Sequence, residues 1–227
     1  EKWQEAIDLL HETNNFPDFT GRICPALCEK SCVLAMDGEA VTIRENEVAV
    51  TEIAFREGMI KAHPPKNRTD KKIAIIGSGP AGLAAAQQLN KKGHNVTVFE
   101  KDHAPGGLLR YGIPNFKLNK NIIDRRLGML KEEGITFKTG VEIGKDISGK
   151  DILSQFDAVC LAVGAGQPRD LKIEGRELEG IYFAMDYLSM QNKLVMHEDV
   201  SQKEMISAKG KNVLVIGGGD TGSDCVG

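Results

Sequence analysis

Two glycine-rich turns with the same spacing, at residues 77–82 and 217–222, constrain the fold of this chain more than any other feature. Each turn follows a short apolar run, at residues 73–76 and 213–216, and each leads into a segment that can start a helix. A strand that turns through glycines into a helix places free backbone N–H groups and a helix N-terminus against a pyrophosphate. Because one such turn binds one dinucleotide, the two turns predict an enzyme that brings a flavin and a nicotinamide together.

Strand and helix patterns alternate from residue 71 onward, which predicts an α/β fold with a doubly wound parallel sheet and right-handed crossovers. The run at residues 156–163 is almost continuously apolar, as is typical of a strand that is covered on both faces. Strands are expected at residues 73–76, 95–100, 135–138, 156–163 and 212–216, and helices at residues 81–90, 119–133 and 185–191.

A different pattern occupies the N-terminal part of the chain. Residues 1–13 and 44–60 carry apolar side chains at helical spacing, whereas residues 14–34 are rich in proline, glycine and cysteine and show little regular pattern. Prolines and polar residues at 63–68 indicate a linker. We therefore expect three units: a helical domain at residues 1–66, a Rossmann-like domain at 67–190 and the start of a second Rossmann-like domain at 191–227.

The composition of the chain disfavours several classes of partner. A net charge of −3 favours neither nucleic acid nor an anionic membrane. No apolar stretch approaches the roughly 18–20 residues that a membrane span requires, and no signal peptide is recognisable, so we expect a cytoplasmic protein with reduced thiols. The sequence begins without Met and stops a few residues after the second turn, so we expect it to be a piece of a longer protein.

The first turn has the sequence context of a flavin site. Gly77 permits the tight turn, Gly79 lets a pyrophosphate approach the backbone, and Gly82 lets the helix pack closely on the strand. Glu100 ends the next expected strand, where a carboxylate can accept from ribose hydroxyls and disfavours a 2′-phosphate, so FAD or NAD fits better than NADP. Two glycines at 106–107 can let the backbone approach a large flat ligand, or they can form an ordinary loop. A glycine turn without a ligand is the alternative for the whole site.

The second turn predicts a nicotinamide site. Gly217, Gly219 and Gly222 repeat the spacing of the first turn, and Asp220 and Thr221 open the helix that follows. The Thr221 hydroxyl can donate to a phosphate. The alternative is a strand–helix unit with a purely structural role. Hydride transfer between two cofactors needs no acid–base dyad, so we expect no catalytic residue, and we expect the five histidines to be solvated.

Three cysteines lie within nine residues, at Cys24, Cys28 and Cys32. Thiolates at this density favour a soft metal or an iron–sulfur cluster. Zinc is less favoured, because its cysteine knuckles usually have two residues between the ligands and no histidine is close by. Thiols without a metal are the third interpretation. Since three cysteines cannot fill a site with four ligands, a further ligand must come from elsewhere.

Five segments of the chain carry a pattern shared with a known family, at residues 13–26, 106–114, 161–165, 168–171 and 217–221. They resemble the small (beta) subunit family of bacterial glutamate synthases, and the resemblance covers the whole chain. The wider family of FAD and iron–sulfur pyridine-nucleotide oxidoreductases includes the N-terminal half of dihydropyrimidine dehydrogenase. The resemblance implies that residues 1–66 hold 4Fe–4S clusters, that 67–190 bind FAD and that 191–227 begin an NADPH domain.

The resemblance also implies a reaction and a partner. NADPH gives a hydride to FAD, and electrons then pass through the 4Fe–4S clusters to FMN in a large subunit, which makes glutamate from glutamine and 2-oxoglutarate. A related oxidoreductase that serves ferredoxin or another acceptor is one alternative. A non-catalytic module that supports subunit assembly is another.

Site residues follow from the matching positions. Cys24, Cys28 and Cys32 match cluster ligands, and Glu47 falls at the position of an unusual further ligand, although a solvated helix carboxylate is an equal alternative. Together with the second turn, the resemblance gives candidate NADP contacts at Gly217, Gly218, Gly219, Asp220 and Thr221. Together with the first turn, it gives candidate FAD contacts at Gly77, Gly79, Pro80, Ala81, Gly82, Glu100, Gly106, Gly107, Leu108, Lys117, Ile143 and Gly164.

Overall fold

The computed structural model describes residues 2–201 and 205–227 of the chain. Four short to medium helices come first, and a unit in which strands and helices alternate follows. The helices are α1 (Trp3–Thr13), α2 (Pro17–Ile23), α3 (Leu27–Lys30), α4 (Ile43–Arg56), α5 (Pro80–Lys91), α6 (Leu108–Tyr111), α7 (Lys120–Glu132), α8 (Gly149–Gln155), α9 (Ala184–Val195) and α10 (Asp220–Val226). The strands are β1 (Lys72–Ile76), β2 (Asn95–Phe99), β3 (Thr136–Lys138) and β4 (Ala158–Leu161).

The four strands form one parallel sheet in the order β3-β2-β1-β4. β1 lies between β2 and β4, with Ile75 opposite Val98 on one side and opposite Cys160 on the other. Parallel neighbours need crossover connections, and helices α5, α7 and α8 occupy the connections between successive strands. The expected α/β class with a doubly wound parallel sheet is therefore confirmed.

Both faces of the sheet are covered, which explains why its strands are so apolar. Successive residues of β1 belong to different cores, because side chains alternate between the two faces of a strand. Ile75 packs in a core with Leu83, whereas Ile76 packs in a second core with Phe99 and Ile152. Helix α7 adds to the first core three buried residues at helical spacing, Ile123, Leu127 and Leu130.

The N-terminal helices pack directly on the sheet unit. Phe19 of α2 belongs to the same core as β1 and β2. The buried Asp18 carboxylate accepts hydrogen bonds from Nε and Nη2 of Arg126 on α7, both at 3.1 Å. Glu52 of α4 accepts two hydrogen bonds from Arg125, at 2.9 and 2.7 Å. The helical part is thus fixed to the sheet part by contacts from two of its helices.

The expectation of a strand at residues 212–216 is wrong. These residues form no strand in the described chain, and Val213, Leu214 and Ile216 are 63%, 84% and 75% exposed. A strand needs a neighbour that takes up its backbone hydrogen bonds, and the four described strands pair with one another instead. The apolar pattern is therefore present here without the pairing that would make it a strand.

Two other expectations need correction. The run at 156–163 forms only the short strand β4 at the edge of the sheet, where Leu161 is 74% exposed instead of covered. Residues 14–34 are more regular than their composition indicates, because α2 begins with Pro17, a residue suited to the first turn of a helix. Within the described residues, no helix is both long enough and apolar enough to cross a membrane.

Candidate functional site

The first glycine turn forms a tight loop between β1 and α5. Gly77 has a φ of +101°, a backbone conformation that side chains other than that of glycine rarely adopt. Gly79 is the N-cap of α5, and Pro80 occupies the first turn of the helix. A Cβ atom on Gly82 would overlap the carbonyl oxygen of Gly77, so the helix lies closer to the loop than any other residue would allow. The first N–H groups of α5 have no partner within the helix, as at any helix N-terminus, so they can bind a pyrophosphate.

The second pair of glycines packs on this loop. A Cβ atom on Gly107 would lie 2.9 Å from the Cα atom of Gly79, so the two backbone segments touch without side chains between them. The backbone N–H of Gly106 donates to the Ser78 hydroxyl at 2.9 Å. The segment at 106–107 is therefore part of the wall of the first loop, which favours the ligand-contact interpretation over an ordinary loop.

Glu100 connects the loop to the end of β2. Its side chain is almost fully buried, and one carboxylate oxygen accepts from the Ser78 backbone N–H at 3.0 Å and from the Ser78 hydroxyl at 2.5 Å. The other oxygen accepts from the Asp102 backbone N–H at 2.9 Å. Burial, followed by the negative charge of Glu100, raises the pKa of Asp102. The carboxylate thus stabilises the loop. The oxygen that accepts from Asp102 keeps one lone pair, which can accept from a ribose hydroxyl.

The second glycine turn adopts the same geometry as the first although no strand precedes it. Gly217 has a φ of +122°, and Gly219 is the N-cap of α10. A Cβ atom on Gly222 would overlap the carbonyl oxygen of Gly217, as in the first loop. Asp220 and Thr221 lie in the first turn of α10, and Gly218 has open space around it. The glycine spacing is therefore sufficient to specify this turn locally.

The remaining FAD candidates lie at scattered positions around the first loop. Leu108 opens α6 and is 59% exposed. Lys117 forms an ion pair with Asp224 of α10. Ile143 packs beside the core on the second face of the sheet. Gly164 has a φ of +69° and follows β4, and the backbone around it is open. Ala81 is exposed in the first turn of α5.

The cysteine segment has the donor chemistry of a cluster site. Nearby backbone N–H groups, first of all that of Val41 and then that of Leu34, lower the pKa of the Cys32 thiol, as suits a thiolate that binds metal. Cys28 is exposed, and Cys24 follows α2. In the described part of the chain, however, no three His, Cys, Asp or Glu side chains converge on a point where they could hold a metal ion.

Glu47 is held by neighbouring helices. Its carboxylate accepts from the Thr20 hydroxyl at 2.8 Å and from the Asn14 side-chain amide at 3.3 Å. It is half-buried on α4 and links this helix to α2. These two hydrogen bonds make it more than a solvated helix carboxylate and leave lone pairs that a metal can use.

The expectation that all five histidines are solvated is wrong for His11. This residue is half-buried, and its Nε2 atom is enclosed without a hydrogen-bond partner. Burial, helped by the positive charge of Arg126, lowers the pKa of His11 to about 4. The residue is therefore neutral at physiological pH.

Comparison with known proteins identifies the family. Residues 71–227 match the family model described as pyridine nucleotide-disulphide oxidoreductase. The chain belongs to this family. A second model, described as dihydropyrimidine dehydrogenase domain II with a 4Fe-4S cluster, matches residues 1–59 of the chain.

Individual relatives match the chain along its whole length. The chain is 54% identical over 225 residues to the glutamate synthase (NADPH) small chain of Bacillus subtilis, covering 99% of this chain and 46% of the relative. It is 52% identical over 229 residues to the protein of the same name from Mycobacterium tuberculosis, covering 100% of this chain and 47% of the relative. The chain thus spans about half the length of the curated relatives that it matches.

Solved structures show the same fold in another oxidoreductase. The structure described as Mycobacterium tuberculosis FprA in complex with NADPH superposes with a TM-score of 0.50 at 30% sequence identity. The match covers 55% of this chain and 29% of FprA. It supports the assignment of the sheet unit to a pyridine nucleotide-disulphide oxidoreductase.

Two residues of the site escaped the sequence analysis. Ser78 lies between two glycines of the first turn, and its hydroxyl donates to Glu100 and accepts from the Gly106 N–H. The only sequence signal for this connecting role is a small hydroxyl residue inside the turn. Asp224 pairs with Lys117 across 107 residues of chain, counting from position 117 to position 224, and such long-range pairing has no local signal.

Proposed function

We propose that this chain is the electron-input part of a glutamate synthase small subunit. It would oxidise NADPH at FAD and pass electrons through 4Fe–4S clusters to an FMN-containing large subunit, which makes glutamate from glutamine and 2-oxoglutarate. The observation that carries the proposal is the 54% identity to a glutamate synthase (NADPH) small chain along 99% of this chain. Two glycine loops of the same geometry support it, because the reaction needs two dinucleotides.

The candidate residues would divide the work by domain. Residues 67–190 would hold FAD through the loop at 77–82, Glu100, the glycine pair at 106–107 and Lys117. Residues 191–227 would begin the NADPH domain with the loop at 217–222. FAD, when bound, supplies the conversion of a hydride into single electrons, while the chain binds it and aligns it with the nicotinamide. No acid–base side chain is assigned.

The helical domain at residues 1–66 would hold the clusters through Cys24, Cys28 and Cys32, with Glu47 as a candidate further ligand. The amide hydrogen bonds around Cys32 support this assignment, because such bonds stabilise a thiolate ligand. We place the complex in the cytoplasm, with the large subunit as protein partner and with no role for nucleic acid or membrane.

The proposal is tested on the natural full-length protein, purified by an affinity tag from its own cells. We expect a large FMN-containing amidotransferase to co-purify, and the complex to form glutamate from glutamine and 2-oxoglutarate as NADPH is oxidised. NADH in place of NADPH measures the preference for the nicotinamide cofactor.

Two outcomes of that experiment would contradict the proposal. Reduction of the flavin by NADPH without a large partner, coupled to reduction of added ferredoxin, would identify a related oxidoreductase with another acceptor. A flavin that neither NADPH nor NADH bleaches would identify a non-catalytic assembly module.

A further inference from the structure

Helix α10, which follows the second glycine turn, lies against the loop that follows α6. Asp224 on α10 forms an ion pair with Lys117 in that loop. The Asp224 side chain is 5% exposed and that of Lys117 is 31% exposed. A Cβ atom on Gly227 would lie 2.8 Å from the Phe116 ring, so the end of α10 packs closely on the residue next to the lysine. The candidate NADPH unit therefore touches a candidate FAD residue directly.

Helix α9 and the turn after it strengthen this connection. The Asn192 side-chain amide donates to the Tyr111 carbonyl oxygen at 3.2 Å, and the Tyr111 hydroxyl donates to Glu198 at 3.0 Å. α10 in turn packs on α9. Helix α9 is therefore a shared neighbour of α10 and of α6, the helix that directly precedes the loop carrying Lys117.

A buried carboxylate such as that of Asp224 is costly without a positively charged partner, so the pair is strongly favoured in the folded chain. Lys117 also has a role towards the cofactor, because the proposed function places it in contact with FAD. An unpaired ammonium group beside a flavin stabilises the negative charge that the flavin gains on reduction. A carboxylate that pairs with the lysine reduces this stabilisation.

We propose that Asp224 is a positioning residue that holds Lys117 and thereby sets the charge that the flavin meets at the junction of the two nucleotide-binding units. The inference rests on the proposed function, since it takes Lys117 as a contact of FAD. Asp224, which belongs to the candidate NADPH unit, would thereby influence the FAD bound by the candidate FAD unit.

The test is a double-mutant cycle in the natural full-length protein with FAD bound. The midpoint potential of the flavin is measured by spectroelectrochemical titration in wild type, Asp224→Asn, Lys117→Gln and the double variant. We expect Asp224→Asn to favour reduced flavin about tenfold, which is about 30 mV for a two-electron couple, and Lys117→Gln to lower the potential. In the Lys117→Gln background, Asp224→Asn should change the potential little.

Asp186→Asn is the matched control, because it removes the same charge from an exposed position on the neighbouring helix α9. Its potential should equal that of wild type. Equal shifts from Asp224→Asn in both backgrounds, or no shift in either, would overturn the inference. If Asp224→Asn does not fold, Lys117→Gln decides alone, since an unchanged potential overturns the inference as well.

The titration uses a chemical reductant, so it separates this inference from the proposed function. A flavin that shows the expected cycle but is not reduced by NADPH would contradict the proposed function and support the inference. A flavin that NADPH reduces, but whose midpoint potential is the same in wild type and in Lys117→Gln, would support the proposed function and contradict the inference.

Discussion

The buried ion pair between Asp18 and Arg126 predicts that replacing one partner lowers the free energy of unfolding more than replacing both. Their side chains are 0% and 2% exposed, and two hydrogen bonds of 3.1 Å join them. Arg126→Met removes both bonds and leaves the Asp18 carboxylate buried without its cation. Removing one partner of such a pair costs about 3–5 kcal/mol of the free energy of unfolding.

Arg126 also lies over two aromatic rings, at 5.7 Å from the ring centroid of Phe16 and 5.1 Å from that of Phe55. Methionine keeps part of this apolar contact but loses the attraction of the cation, so we expect a loss near the middle of the range, about 4 kcal/mol. The double variant Asp18→Leu/Arg126→Met removes the stranded charge. Since apolar replacement of a whole buried pair is often neutral, we expect it to recover at least half of the loss.

Urea unfolding followed by circular dichroism measures the free energy of each variant. Arg56→Met is the control, because Arg56 is 71% exposed and its pair with Glu57 should contribute only about 0–1 kcal/mol. The reasoning is refuted if Arg126→Met lies within about 1 kcal/mol of wild type, or if the double variant is no more stable than the single one.

Three further predictions concern the loops and His11. Ser78→Ala removes the hydroxyl that donates to Glu100 and accepts from Gly106, so we expect a loss of about 2–3 kcal/mol in urea unfolding, and almost none for the exposed Ser154→Ala. Gly82→Ala should abolish retention of FAD, whereas Gly222→Ala should keep the flavin and stop its reduction by NADPH; equal loss of FAD in both variants would argue against two separate sites. The folded pKa of His11 is about 4, below its ordinary 6.5, so the unfolded chain binds more protons between these values. Stability should therefore fall as the pH is lowered from 6.5 towards 4, and His11→Gln should flatten this slope in thermal unfolding; an unchanged slope would assign it to other groups.

The two glycine turns could be predicted from the sequence because their geometry is local. In each turn the first glycine has a positive φ and the last glycine contacts the first. Both properties belong to a stretch of only six consecutive residues. The turn at 217–222 forms even though residues 213–216 make no strand. Sequence spacing therefore predicts the part of the site that depends on backbone conformation alone.

The parts that depend on distant neighbours could not be predicted in the same way. The apolar run at 213–216 resembles that at 73–76. Only the run at 73–76 has a neighbouring strand on each side. Glu100 was expected to face a ribose, whereas its oxygens first accept from Ser78 and Asp102. These hydrogen bonds join residues that are far apart in the sequence and become neighbours only when the chain has folded. No local sequence pattern predicts them.

The contact between Asp18 and Arg126 also has a consequence for synthesis on the ribosome. The two residues are 108 positions apart, so the first helices cannot complete their packing until α7 has emerged. At about 5–20 residues per second, roughly 5–20 s pass between the two residues. During that interval Phe19 lacks the core that it shares with α7 and the sheet in the folded chain, so the helical segment exposes an apolar ring until the rest of that core has been made.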